Sequence, residues 1–134
     1  MKLSGMSLFQ LASQRMTWLG ARQSVISENI ANADTPHYRA REVSSFGEMV
    51  EGSTRPQQGM ALTNMRHIPG STSAPDGVRI SEDADAWESA IGGNNVVLEQ
   101  QTIKSSEVAG SYRLAADLYR KGHDLLTVAV TGVR

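Results

Sequence analysis

Apolar residues recur in alternating steps of three and four near the start of the chain: Phe9, Ala12, Met16, Leu19, Ile26, Ile30 and Ala33, with Gln23 the one polar break. Such steps hold residues on one face of an α-helix and read as a coiled-coil-like seam. Residues 4–33 contain no proline, so one long helix is expected there. A second seam runs Leu98, Gln101, Ser105, Val108, Tyr112, Ala115, Tyr119, Gly122, Leu126 and Ala129, and predicts a helix over 96–131. Gly92-Gly93 precedes it, and either Asn94 or Asn95 could cap its start.

Between the two seams the pattern is lost. All four prolines and seven of the twelve glycines lie between residues 36 and 93, so no long regular element is expected there. Gly77-Val78-Arg79-Ile80 could form a short strand, and Asp83 to Ile91 a short helix around Trp87. The expected fold is mainly α. Long N- and C-terminal helices pack as a coiled-coil-like pair, and the middle is largely irregular with short strands or helix. By residue number the parts are 1–35, 36–93 and 94–134, the first and last forming one helical domain.

Each predicted helix also carries apolar side chains away from its seam: Leu8, Leu11, Trp18 and Val25 on the first, and Ile103, Leu114, Leu118, Leu125 and Val128 on the second. Stripes that wide call for more than one neighbour, and the middle segment is poor in large apolar residues. The pattern favours helices completed by other subunits, with a compact monomeric bundle as the alternative.

Pro36 forces Thr35 out of the α region, so the first helix should stop near Asp34. Asn29 and Asn32 lie three apart on the turn before that stop. Both amides are weak helix formers that can bond to nearby backbone instead. They read either as tolerated polar residues before a turn or as part of a contact surface.

Composition removes most chemistry. The formal net charge is −1, which leaves no basic footprint for nucleic acid. Seven aromatics, not interleaved with basic residues, argue against a base-stacking surface. There is no cysteine, hence no disulfide, thiolate metal site or cysteine nucleophile. Serines and Gln10 interrupt the opening residues where a cleaved signal needs an apolar run, and no stretch nears the roughly 18 apolar residues of a membrane span. His37, His67 and His123 stand far apart and outside any metal-ligand spacing. Glu82, Asp83, Asp85 and Glu88 lack calcium-loop spacing and read as a solvated helix start. No catalytic residue, metal or cofactor is expected.

The run Ser27 to Val43 resembles the N-terminal signature of bacterial flagellar rod and hook proteins, in which Asn-Ile/Leu-Ala-Asn is followed by Thr-Pro-Gly-Tyr and a basic residue. The matching positions are Asn29, Ile30, Ala31, Asn32, Thr35, Pro36, Tyr38 and Arg39. His37 stands where that family usually has glycine, so any turn needing φ > 0 there must be met by histidine. The short length, Thr63 to Ile68 and Gly93-Asn94-Asn95-Val96 narrow the resemblance to proximal-rod members, over nearly the whole chain.

The resemblance implies a non-enzymatic structural subunit of the flagellar basal-body proximal rod, on the periplasmic side of the inner membrane. Its terminal helices would assemble into a hollow axis that carries torque from the membrane ring to distal rod and hook. Implied partners are copies of itself, other proximal rod proteins, the ring–rod adaptor and membrane ring, and the type III export apparatus, which would take the chain out without a cleaved signal. The subunit interface would use the seam residues together with Asn29, Asn32, Thr35, Pro36 and Tyr38 on the first side, and Leu98, Val108, Tyr112, Ala115, Tyr119 and Leu126 on the second. Phe46 and Val50 fit a Phe-x-x-x-apolar pattern that related export substrates dock on the export gate. Alternatives are another rod subunit, a small helical adaptor or export chaperone, and a hydrolase using His67.

Overall fold

A computed structural model describes residues 8–54 and 78–132. Residues 4–7 of the first expected helix, the Thr63–Ile68 motif, His67 and Gly77 lie outside that range. The order of elements is α1 (Leu8–Ala31), β1 (Arg41–Val43), α2 (Phe46–Thr54), β2 (Ile80–Glu82) and α3 (Leu98–Thr131). The two long helices, of 24 and 34 residues, pack along each other. At about 1.5 Å per residue they span roughly 36 and 51 Å, so α3 extends well beyond α1.

The seam residues meet between these helices. Leu19 and Ile26 are each 1% exposed on α1, and Val108 and Ala115 are buried on α3. Phe9 meets the edge of Tyr119 with ring centres 5.3 Å apart. The seam slips at one position. Ile30 is 42% exposed, and the neighbouring Asn29 takes the inward place at 1%. A polar residue can hold that place because its hydrogen bonds are met, as described below.

The rest of the core lies where α1 meets the middle segment. Trp18, Val25, Val43, Met49, Val50 and Val78 form one cluster with Leu19, Ile26 and Val108, and Leu11, Ala21 and Phe46 pack on its margin. The Trp18 indole also donates to the Ser44 carbonyl at 2.8 Å, which satisfies its only polar group. β1 and β2 form a two-stranded antiparallel sheet that pairs Arg41 with Glu82, Glu42 with Ser81 and Val43 with Ile80.

Three expectations need correction. The first helix ends at Ala31, not near Asp34, because the Asn32 amide is shared between the Glu28 and Asn29 carbonyls and those of Ala33 and Thr35 turn to carbonyls three residues back. Helix α3 begins at Leu98 with extended Val97 before it, and no side chain caps it; Asn94 and Asn95 are engaged elsewhere. Residues 83–91 are not helical. Trp87 and Ile91, the pair that would define an apolar face, are exposed, so no burial supports a helix there. The expected short strand appears slightly later, at Ile80–Glu82.

Helix α2 was not foreseen, although its start has a legible signal. Ser45 lies three residues before Glu48, the spacing of a capping box, and its hydroxyl accepts from the Glu48 amide at 3.3 Å. At the far end, Gly132 closes α3 in the left-handed conformation, donating its amide to Val128 at 2.8 Å.

Candidate functional site

The signature residues converge where α1 ends and α3 begins. Asn29 holds the junction. Its Oδ1 accepts from the Arg41 amide at 2.9 Å, and its Nδ2 donates to the Arg41 carbonyl at 2.8 Å. The side-chain amide therefore pairs with β1 as a neighbouring strand would, on the edge away from β2. It also donates to Gln101 Oε1 at 3.1 Å on α3 and accepts from the Tyr38 hydroxyl at 3.3 Å. All four of its bonding positions are used, which lets a polar group sit fully buried. Gln101 is less well served, since its Nε2 is buried with no hydrogen-bond partner.

Asn32 acts locally. It donates to the Glu28 carbonyl of its own helix at 2.8 Å and accepts from the Thr35 hydroxyl at 3.2 Å. The long-range clamp on this turn comes from Asn94. Its Nδ2 lies 2.9, 2.8 and 2.8 Å from the carbonyl oxygens of Asn32, Ala33 and Thr35, all of which follow the last helical turn. Asn95 Oδ1 accepts from the Ala40 amide at 2.6 Å. The pair expected to cap the start of α3 thus secures the chain just after α1.

His37 occupies the turn with φ 61°, so the position does need the left-handed region that glycine enters freely and histidine tolerates. Its amide donates to Gly92 at 2.9 Å. Gly93 faces it at φ 79°, and a Cβ there would stand 2.7 Å from His37 Nδ1.

A chain of charges braces the same junction. Arg22 on α1 makes two hydrogen bonds to Glu42 on β1, at 3.0 and 3.2 Å. Lys104 on α3 bridges Glu42 at 3.0 Å and the nearly buried Asp83 at 2.5 Å. Burial pushes the Glu42 carboxyl up, but hydrogen bonds from Arg22 and Lys104 outweigh it and leave the group below its ordinary value. Burial likewise pushes Lys104 down, and Asp83 and Glu42 outweigh it, so the ammonium is held above its ordinary value. Burial raises the Tyr38 hydroxyl, with Glu28 adding to the rise and Arg41 opposing it.

The signs set a pH window. A carboxylate with a lowered folded pKa contributes stability above its unfolded pKa and loses it as pH falls through the folded value. A lysine with a raised folded pKa contributes below its unfolded value and loses this on the alkaline side. We expect Glu42→Gln to lower stability by about 1–2 kcal/mol at neutral pH, because Lys104 and Arg22 lose their shared partner. Thermal unfolding down to about pH 3 should then show a shallower acid loss in the variant than in the native chain. Parallel acid profiles would remove Glu42 as the cause.

The remaining interface candidates divide by exposure. Leu19, Ile26, Val108 and Ala115 are buried within the chain, while Phe9, Ala12, Met16 and Tyr38 are half-buried. Thr35, Pro36, Ile30, Leu98, Tyr112, Tyr119 and Leu126 are exposed. Phe46 and Val50 lie against α1: Phe46 meets the edge of Trp18 at 6.0 Å, the Arg15 guanidinium lies 4.9 Å over its ring, and Val50 is 6% exposed.

The larger unpaired surface is a second stripe on α3. At 100° per residue, Ile103, Gly110, Leu114, Leu118, Lys121, Leu125 and Val128 fall on one face, about a third of a turn from the seam. Leu114 is 62%, Leu118 53% and Leu125 71% exposed. Among the described residues no group of histidine and carboxylate side chains could hold a metal ion, and no helix is long and apolar enough to cross a membrane.

Residues 3–39, which contain α1 and the turn after it, match the family model described as flagella basal body rod protein. The flagellar basal body rod protein FlgB of Agrobacterium fabrum is 39% identical over 127 residues, 92% of this chain and 92% of that protein. FlgB of Yersinia enterocolitica is 38% identical over 79 residues, 55% of this chain and 56% of that protein. FlgB of Escherichia coli K12 is 26% identical over 99 residues, 70% and 71% of the two chains.

Proposed function

This chain belongs to the family of flagellar basal-body rod proteins, and we propose that it builds the proximal rod through its terminal helices. The observation that carries this reading is the bare stripe on α3, with Leu114, Leu118 and Leu125 more than half exposed. A single helix pair cannot cover it, and neighbouring subunits can. The junction described above would fix the angle at which the middle segment leaves the helix pair. A braced junction of this kind suits a subunit that passes torque to its neighbours.

The same reading takes the chain outward through the flagellar type III export apparatus to the periplasmic side of the inner membrane. There it meets copies of itself, other rod proteins and the ring–rod adaptor. Phe46 and Val50 pack on α1 in the folded subunit, so contact with the export gate would precede folding. Electron microscopy of basal bodies from a strain lacking this gene provides the test. Membrane rings without rod or hook are expected, and complete rods in that strain would overturn the proposal.

A further inference from the structure

Helix α3 runs on past the described start of α1. Gly122 faces Leu8 and Phe9 there, and a Cβ on it would stand 3.4 Å from the Phe9 ring. From Gly122 to Thr131 the helix projects about 14 Å further. After Asp124 this end carries no charge on any face, and Leu125 is 71%, Leu126 53% and Val130 85% exposed. Thr127 and Thr131 donate their hydroxyls back to the His123 and Thr127 carbonyls, at 3.0 and 2.7 Å. A helix end that is uncharged all round and keeps its hydroxyls bonded within itself is suited to burial. A shallow hollow among His123, Leu126, Thr127, Val130 and Thr131 marks one side of it.

A surface of the same character lies at the other end of the helix pair. The Gln23–Ser105 and Asn29–Gln101 hydrogen bonds set the turns around Ser27 and Thr102 alongside each other. The middle segment packs on the side of Trp18, Val25 and Lys104, and the exposed Ser27, Ile30, Leu98 and Thr102 lie away from it. Ile30 is 42% and Leu98 49% exposed. Ser27 and Thr102 also donate to carbonyls of their own helices, at 2.9 and 2.8 Å. Glu28 and Glu99 come next in sequence but turn about 100° away, and Glu28 is paired with Arg41.

Both surfaces can therefore be covered by apolar groups without stranding a charge or a hydroxyl. Other bare apolar residues are differently placed. Asp117 and Lys121 flank Leu118, Asp85 and Glu88 flank Trp87, and Tyr112 exposes a hydroxyl with no partner among the described residues. Leu98 and Val128 stand about 45 Å apart on one continuous helix, so the two surfaces can meet only between copies. We infer that the 125–131 end of α3 in one copy docks on the surface of Ser27, Ile30, Leu98 and Thr102 in the next. The contact joins unlike surfaces, so it propagates in one direction instead of closing as a twofold dimer does. Successive copies step by about 45 Å along α3. The inference rests on the reading that copies assemble, and adds which end meets which.

The chain has no native cysteine, so introduced ones report alone. A chain carrying Ser27→Cys with Val130→Cys, treated with a short bismaleimide in isolated basal bodies, should give a ladder at multiples of 14.5 kDa. Thr102→Cys with Val130→Cys should give the same ladder, and each single variant none. Rods that contain both double variants without a ladder would overturn the inference. So would a ladder from Val130→Cys alone, which means like ends meeting, or a product of another mass, which gives the α3 end to a different protein. An internal link between Leu3→Cys and Val130→Cys would also overturn it, since the chain's own start would then occupy that end. Absence of the native chain from rods is a separate outcome, and overturns the assembly reading instead.

Discussion

Replacing Asn29 with alanine should lower the stability of the folded chain by about 2–4 kcal/mol, a large part of the roughly 5–15 kcal/mol typical of a domain. The substitution removes the partner of four groups at once: the Arg41 amide and carbonyl, Gln101 Oε1 and the Tyr38 hydroxyl. Each buried group left unmatched costs about 1–3 kcal/mol, and the figure is reduced because water can reach Tyr38 and Arg41. Asn29→Asp should do similar damage. A carboxylate keeps the bonds from the Arg41 amide and Tyr38 but turns negative charge towards the Arg41 carbonyl and Gln101 Oε1. Asn32→Ala is the internal control, since that side chain bonds only to Glu28 and Thr35 on its own turn. It should cost less than about 1 kcal/mol. Urea unfolding of the three variants separates them; equal midpoints for Asn29→Ala and Asn32→Ala would refute the assignment.

That contrast also shows what could be read in advance. The two asparagines look alike along the chain, three apart on one turn. Asn29 is distinguished by Arg41 and Gln101, and only the folded chain brings those residues beside it. The seam spacing placed Leu19, Ile26, Val108 and Ala115 correctly because helical periodicity is a local property. It placed Ile30 inward for the same reason, and erred because a satisfied amide can displace an aliphatic side chain at a junction.

Asn94 shows the reverse failure. It suits a cap at the expected helix start, yet α3 begins only at Leu98 and the Asn94 amide bonds carbonyls 59 to 62 residues earlier. Strands β1 and β2 are three residues each, too short to leave an alternating pattern. Helix α2 was legible, through Ser45 and Glu48, and the two glycines inside it, Gly47 and Gly52, obscured it. Among the charges, Glu42 and Lys104 meet across 62 residues, a pairing no spacing rule anticipates.

The double substitution Leu118→Asp, Leu125→Asp should abolish swimming while leaving the isolated chain folded. Both leucines are more than half exposed, so the folded monomer loses little burial, and the change in helix propensity is about 0.5 kcal/mol per site. The assembled state loses far more. Covering a leucine contributes about 1.5–3 kcal/mol, and each aspartate must instead be desolvated against an apolar partner. The penalty recurs at every subunit contact, so a defect modest for one pair of copies prevents a stack of many. Ile26→Asp supplies the contrast, because Ile26 is 1% exposed in the core cluster that also holds Trp18 and Val108, and the change should unfold the chain before any assembly. Circular dichroism melting distinguishes a folded, non-assembling subunit from an unfolded one. Normal motility with the double aspartate present in rods would show that this face of α3 is not the one that neighbours cover.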